Sequence, residues 1–184
     1  YVQMSKFDEA EAQFEAIVND PAADVRSKGM AETILDRMDV LRNLAVGKKM
    51  EDFTATDTEG KPISLSDYEG RVLLVDFWAT WCAPCRAELP NVKKVYDEYH
   101  DDGFDIVGIS MDNSCDKLEE YVEAEKMEWR QICDGKGWKA ELGQKYAVSS
   151  IPATLLLDGE GVIRYKNLRV DELAEAVKGL LGKK

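Results

Sequence analysis

A Cys-x-x-Cys motif follows an apolar segment, and this order of residues constrains the fold more than any other feature of the chain. Residues 72–77, VLLVDF, have the pattern of a buried strand, and Trp81-Cys82-Ala83-Pro84-Cys85 follows after a short loop. We predict a helix from Cys82 to Tyr99, so the first cysteine lies where free N–H groups and the helix dipole favour a thiolate. The second cysteine, one turn along, can close or open a disulfide. The motif therefore predicts a redox-active pair.

The segments after Gly47 alternate between strand and helix patterns. A β-hairpin is predicted between Asp52 and Leu65, with its turn at Glu59-Gly60. Further strands are predicted at 72–77, 104–110, 128–133, 153–158 and 162–166, and helices at 82–99, 116–126, 138–146 and 170–181. This alternation predicts an α/β domain with a mixed sheet over residues 47–184.

Residues 1–46 have a helical pattern and are predicted to form a helical hairpin extension. The apolar residues of its first helix share one face: Phe7, Ala10, Phe14, Ile17 and Val18. Asn19-Asp20-Pro21 interrupts the pattern, with Asp20 as the expected N-cap of the second helix and Pro21 at its first position. The apolar positions of that second helix are Val25, Ile34, Leu35, Met38, Leu41 and Leu44.

The first helix resembles part of a known repeat. Its sequence, KFDEAEAQFEAIVNDP, is similar to the second helix of a tetratricopeptide repeat, which also ends at a proline. A repeat helix needs neighbouring helices to cover its apolar face, so the resemblance implies further helices upstream or a protein partner that binds the N-terminal helices. The alternative is a two-helix extension packed on the following domain. Because the chain opens at Tyr1 with the helical pattern already running, we expect a longer precursor whose signal or anchor lies upstream.

The charge balance excludes several classes of partner. Twenty-four basic side chains stand against thirty-six acidic ones, for a net charge of −12. Such a chain repels both a phosphate backbone and an anionic lipid surface, so neither nucleic acid nor direct membrane binding is expected. No apolar run approaches the roughly 20 residues of a membrane span. We expect a soluble, globular chain.

Two structural interpretations of the cysteine pair compete with the redox one. A zinc knuckle needs a second Cys or His pair, but the sequence has one histidine, His100, at a helix end. No metal is therefore expected. A purely structural disulfide is the other alternative, and Trp81 beside the pair and Pro84 within it argue against it.

A longer segment resembles a known family. The string DFTATDTEGKPISLSDYEGRVLLVDFWATWCAPCRAELP is similar to the opening of TlpA/ResA-type thioredoxin-like proteins, and the resemblance covers about residues 47–181. It implies a thioredoxin fold with an N-terminal β-hairpin and a central αβ insertion. It also implies extracytoplasmic dithiol exchange with protein substrates, often in bacterial cytochrome c maturation. No cofactor beyond the disulfide is implied, and an upstream membrane thiol donor fits the same pattern.

The resemblance assigns two carboxylates to the site. Asp76 matches the buried aspartate of the thioredoxin strand, and Glu88 matches the glutamate three residues after the second cysteine in ResA-type proteins. Either could relay a proton to Cys85, because a desolvated carboxyl has a raised pKa and acts as a base near neutral pH. An ordinary solvated carboxylate is the alternative for Glu88.

The resemblance also identifies a loop that faces the cysteines. Ser150-Ile151-Pro152-Ala153-Thr154 is similar to the cis-proline loop of the fold, so Pro152 is expected in the cis form. Ile151 and Pro152, together with Trp81 and Pro84, are the expected substrate-binding residues. Without the resemblance, Pro152 would be read as a proline at the start of a strand.

Cys115 follows one predicted strand, and Cys133 lies at the end of the next. Because parallel strands end at the same edge of a sheet, the two thiols are expected to meet, with Cα atoms closer than about 7 Å. A disulfide there would stabilise the fold by about 3 kcal/mol. Two unrelated buried thiols are the alternative.

Two other functions compete with disulfide exchange. A peroxiredoxin needs Pro-x-x-x-Thr-x-x-Cys, but Thr80 lies two residues before Cys82 instead of three, and the proline is missing. A binding module, in which the N-terminal helices dock a partner, does not need an intact Cys-x-x-Cys motif. We expect Cys82 to be exposed and to attack, and Cys85 to be shielded and to resolve. Ala83-Pro84 lacks the histidine of strongly oxidising DsbA-type motifs, which favours a reductant.

Overall fold

The computed structural model describes residues 2–169 and 171–183, and its contacts divide them into two compact units. The first unit ends at Ala45 and the second begins at Val46. The first unit contains the helices α1 (Val2–Asn19), α2 (Val25–Leu35) and α3 (Met38–Asn43). Arg42 of α3 forms ion pairs with Asp8 and Glu11 of α1, so these two helices are joined by charge as well as by packing.

The second helix of this unit differs from the sequence prediction. Asp24, not Asp20, is its N-cap, because the Asp24 carboxylate accepts hydrogen bonds from the Ser27 N–H at 3.0 Å and the Ser27 hydroxyl at 2.6 Å. Asp20 instead accepts the N–H of Ala22 in the preceding turn. The helix therefore begins at Val25, whose side chain is exposed and belongs to no apolar face.

The second unit is built on a mixed five-stranded sheet, as the alternating pattern predicts. In chain order its strands are β3 (Val72–Trp78), β4 (Phe104–Ser110), β5 (Arg130–Ile132), β6 (Ala153–Leu157) and β7 (Ile163–Lys166). The spatial order is β5-β4-β3-β6-β7, with β3, β4 and β5 parallel and β6 and β7 antiparallel to their neighbours. The apolar strand β3 is central, which explains why almost every residue in it is buried.

Helices and a hairpin complete this unit. The predicted hairpin is confirmed as β1 (Thr54–Thr56) paired with β2 (Pro62–Ser64). The helices are α4 (Ala83–Tyr99), α5 (Cys115–Ala124), α6 (Glu141–Lys145) and α7 (Asp171–Leu180). The helix predicted at 138–146 is shorter, because the backbone of Ala140, with φ −53° and ψ 133°, is not helical and separates α6 from a 3₁₀ turn at Gly137–Lys139. Among the helices described, none is long and apolar enough to cross a bilayer.

Candidate active site

The two cysteines of the motif lie where the central strand passes into a helix. After β3 a short loop leads to Cys82, which is the N-cap of α4, and Pro84 lies in the first turn of that helix. The Cys82 sulfur accepts a hydrogen bond from the backbone N–H of Cys85 at 3.2 Å. The two residues form a disulfide with Cα atoms 5.3 Å apart. The first cysteine of the motif therefore lies at the N–H groups of a helix start, which stabilise a thiolate.

The two cysteines do not differ in accessibility as predicted. Cys82 is 4% exposed and Cys85 is 8% exposed in the disulfide form, so the expectation that Cys82 is the exposed member is wrong for this state. Trp81, Ala83 and Pro84 are next to the disulfide in sequence and are themselves exposed. The distinction between the two sulfurs therefore depends on the hydrogen bond at the helix N-terminus.

A small cavity lies beside Cys85 and joins several of the predicted site residues. Its wall includes Cys85, Asp76, Glu88, Pro152 and Arg169. Its volume of about 30 Å³ is enough for a water molecule, which needs roughly 10 to 15 Å³ by the same measure. The structure thus brings both predicted carboxylates to the second cysteine, and water has room to connect them.

The two carboxylates differ in their surroundings. Asp76 projects from the central strand, and burial raises its pKa to about 7, while the charge of Arg169 acts to lower it and the charge of Glu88 to raise it. Glu88 is half-buried in α4 and lines the same cavity, so it is not a fully solvated helix carboxylate. Burial therefore brings the pKa of Asp76 close to neutral pH.

The loop before β6 completes the site. The Ile151–Pro152 peptide bond is cis, as the resemblance implies. In the antiparallel pairing of β3 and β6, Phe77 lies opposite Ala153, which brings Pro152 to the carboxyl end of β3, next to the cysteine loop. Arg169 donates a hydrogen bond to the Pro152 carbonyl at 3.0 Å, so this loop is tied to the segment before α7.

Comparison with known proteins identifies the family of the chain. The profile of the AhpC/TSA family matches residues 46–166, well over half of the sequence. The chain belongs to the AhpC/TSA family. One relative, the thiol-disulfide oxidoreductase ResA of a Bacillus cereus strain, is 31% identical over 140 residues, which cover 76% of this chain and 79% of ResA. The thioredoxin-like protein YneN of Bacillus subtilis is 36% identical over 122 residues, 64% of this chain and 68% of YneN.

Solved structures with the same fold are also similar to this chain. The thioredoxin domain of a thiol-disulfide oxidoreductase from Bacteroides vulgatus is 34% identical, with a TM-score of 0.69 over 75% of this chain and 99% of that domain. A thiol:disulfide interchange protein from Bacteroides sp. is 33% identical, with a TM-score of 0.68 over 76% and 92% of the two chains. The thioredoxin fold and the predicted activity are both confirmed. The protein is a thiol-disulfide oxidoreductase.

One charged residue of the site, Arg169, is not predicted from the sequence. Arg169 lines the cavity with Asp76 and Glu88 and also binds the Pro152 carbonyl. Arg169 lies between the last strand and α7, close to other charged residues in the sequence, and no motif distinguishes it. Only the folded structure shows that this segment lies beside the site. The guanidinium is the positive charge that acts on Asp76.

The other two cysteines form a second disulfide. Cys115 begins α5 and Cys133 directly follows β5, and their Cα atoms are 5.7 Å apart. Both are half-buried. In the part of the chain that the structure describes, no group of three or more His, Cys, Asp or Glu residues is arranged to hold a metal ion.

Proposed function

We propose that this thiol-disulfide oxidoreductase reduces protein disulfides, with Cys82 as the attacking thiolate and Cys85 as the resolving thiol. The observation that carries this assignment is the hydrogen bond from the Cys85 N–H to the Cys82 sulfur at the start of α4. Negative charge on sulfur is stabilised there by the free N–H groups and the helix dipole. Cys85 lies one turn inside the helix, so its sulfur does not have these free N–H groups beside it.

The reaction transfers two electrons from the protein to its substrate. The Cys82 thiolate attacks one sulfur of the substrate disulfide, forms a mixed disulfide and releases the other substrate sulfur as a thiolate. The Cys85 thiol then loses its proton, and its thiolate attacks the Cys82 sulfur. The Cys82–Cys85 disulfide forms and the second substrate sulfur leaves. An upstream thiol donor must then return the pair to the dithiol.

Asp76 is proposed as the acceptor of the Cys85 proton. It lines the same cavity as Cys85, and its pKa of about 7 lets it take up a proton near neutral pH. Glu88 is proposed to assist from the wall of the same cavity, through its charge or through water. Arg169 moderates the effect of burial on Asp76 and limits how far its pKa rises.

The substrate is proposed to lie along the cis-proline loop. Ile151 and Pro152 are adjacent to the cysteine loop, and both are only half-buried. Trp81 and Pro84 are exposed within the cysteine loop itself. These four residues are the ones that a substrate would contact as its sulfur approaches Cys82.

An extracytoplasmic location and a role in cytochrome c maturation are also proposed, on the resemblance to TlpA/ResA-type proteins. The Cys115–Cys133 disulfide supports the location, because such bonds persist in oxidising compartments. Cell fractionation tests the location. Measurement of covalently bound haem in a strain that lacks the gene tests the pathway, and an unchanged haem level would contradict it.

Trapping of mixed disulfides tests the assignment of the two cysteines. The Cys85→Ser variant should accumulate covalent complexes with substrate proteins, because the resolving thiol is missing, whereas Cys82→Ser should accumulate none. Limiting iodoacetamide should alkylate Cys82 first in the reduced protein. Preferential labelling of Cys85, or equal trapping by both variants, would refute the assignment. Rapid consumption of hydrogen peroxide by the reduced protein would favour the peroxiredoxin alternative instead.

A further inference from the structure

Two of the four tryptophans are exposed, and they lie against each other beside the reactive cysteines. Trp81 is 49% exposed and Trp138 is 45% exposed, with ring centroids 6.0 Å apart and an angle of 56° between the rings. Trp78 and Trp129, by contrast, are buried. Trp81 directly precedes Cys82. Large rings that remain exposed in contact with each other are typical of a surface that binds another molecule.

The buried residue Asp112 forms hydrogen bonds with the residue that precedes each tryptophan. The Asp112 side chain, in a residue only 3% exposed, accepts the N–H of Thr80 at 3.0 Å and the Thr80 hydroxyl at 2.7 Å. Its backbone carbonyl accepts the N–H of Gly137 at 3.1 Å. Thr80 directly precedes Trp81, and Gly137 directly precedes Trp138. One residue therefore joins the two positions from which the rings project, which indicates that their spacing is built into the fold.

The turn that carries Trp138 is held from a second direction. Gly137 has a φ of +56°, a backbone conformation that other residues adopt only with strain, so glycine is favoured there. The Cys115–Cys133 disulfide ties the segment before this turn to the start of α5. Trp138 is therefore presented to solvent by a rigid support, which lowers the entropic cost of binding.

We propose that Trp81 and Trp138 together bind an apolar side chain of the substrate polypeptide, next to the substrate's reactive cysteine. This proposal rests on the function proposed above, and it adds that the site prefers substrates with an apolar residue close to the reactive cysteine. Trp81 directly precedes Cys82 and is exposed, so a substrate whose sulfur reaches Cys82 comes close to the Trp81 ring. An extended chain advances about 3.3 Å per residue, so a side chain within about two residues of the substrate cysteine can reach both rings.

Peptide kinetics test the proposal. The reduced protein, with the Cys115–Cys133 disulfide intact by mass spectrometry, is mixed with two peptide disulfides that differ only in a leucine or a serine before the cysteine. The wild-type protein should react about tenfold faster with the leucine peptide, because an apolar side chain is buried against the exposed faces of the two rings. Trp138→Ala should abolish most of this preference, while its rate with bis(2-hydroxyethyl) disulfide stays unchanged. Trp138→Phe should retain part of the preference.

A matched control is available on the opposite edge of the sheet. Tyr165 in β7 is 41% exposed, so Tyr165→Ala removes an exposed ring elsewhere and should keep the leucine preference. A wild-type protein without the leucine preference, or a Trp138→Ala variant that keeps it, would refute the proposal that the two tryptophans bind an apolar side chain of the substrate. Failure of the wild-type protein to react with bis(2-hydroxyethyl) disulfide would instead contradict the proposed function itself, so the two failures are distinguishable.

Discussion

Replacement of Asp76 by asparagine should change how the stability of the oxidised protein depends on pH. The substitution keeps the shape of the side chain and removes its ionisation. In the folded protein burial raises the pKa of Asp76 from 3.8 to about 7, with Arg169 acting to lower it and Glu88 to raise it. The folded protein therefore keeps a proton on this carboxyl over a pH range in which the unfolded chain has already lost it.

The sign and size of the effect follow from that difference. A group that binds its proton more tightly in the folded state makes the free energy of unfolding fall as the pH rises between the two pKa values. One pKa unit corresponds to about 1.4 kcal/mol, and a folded value of about 7 lies roughly three units above 3.8. Above pH 7 the ionised Asp76 should thus cost the wild-type protein on the order of 4 kcal/mol, a cost that asparagine does not carry.

Urea unfolding of the oxidised proteins between about pH 4 and pH 8 measures this difference. The stability of Asp76→Asn relative to wild type should increase steadily across that range, on top of any constant offset from the new amide. Asp158→Asn is a control of opposite sign. Burial acts to raise the pKa of Asp158, but hydrogen bonds from the Val162 N–H and Arg164 lower it below 3.8. That variant should lose stability near neutral pH and recover it in acid. A pH-independent difference for Asp76→Asn would refute the reasoning.

Other substitutions test the remaining parts of the site. Asp76→Asn and Glu88→Gln should leave the fold intact and slow thiol exchange near neutral pH, and unchanged pH–rate profiles in both variants would exclude the proton relay. Arg169→Met removes the charge that lowers the pKa of Asp76, so the pH profile of exchange should move to higher pH; an unmoved profile would limit Arg169 to a structural role. The double variant Cys115→Ser/Cys133→Ser should lose about 3 kcal/mol in urea unfolding, and no loss would contradict a stabilising disulfide.

The sequence predicts the strands and the reactive motif well because both depend on neighbouring residues. The apolar run of β3 and the helix that starts after Cys82 are read from patterns that span a few residues each. Competition between similar local signals is harder to resolve. Asp20 and Asp24 are both candidate N-caps of the same helix, and only Asp24 has a serine three positions on that completes the cap with two hydrogen bonds.

Accessibility is a second property that local patterns do not predict. A place at a helix start predicts an exposed Cys82, but its surroundings leave it 4% exposed in the disulfide form. Exposure depends on which distant segments cover a residue. The cis-proline loop and the cysteine loop meet only because β6 pairs with β3.

The amino-acid sequence by itself determined the order of strands and helices, the position of Cys82 at the start of α4, and a resemblance strong enough to identify Asp76, Glu88 and Pro152 as candidates. Only the tertiary structure decided which distant residues act on them. Arg169 lies more than ninety residues after Asp76 in the chain, yet both line one cavity. Trp138 contacts Trp81 in a region where Asp112 hydrogen-bonds to the residue before each of them. Such contacts depend on the packing of elements that are far apart in sequence, and no short pattern of residues records that packing.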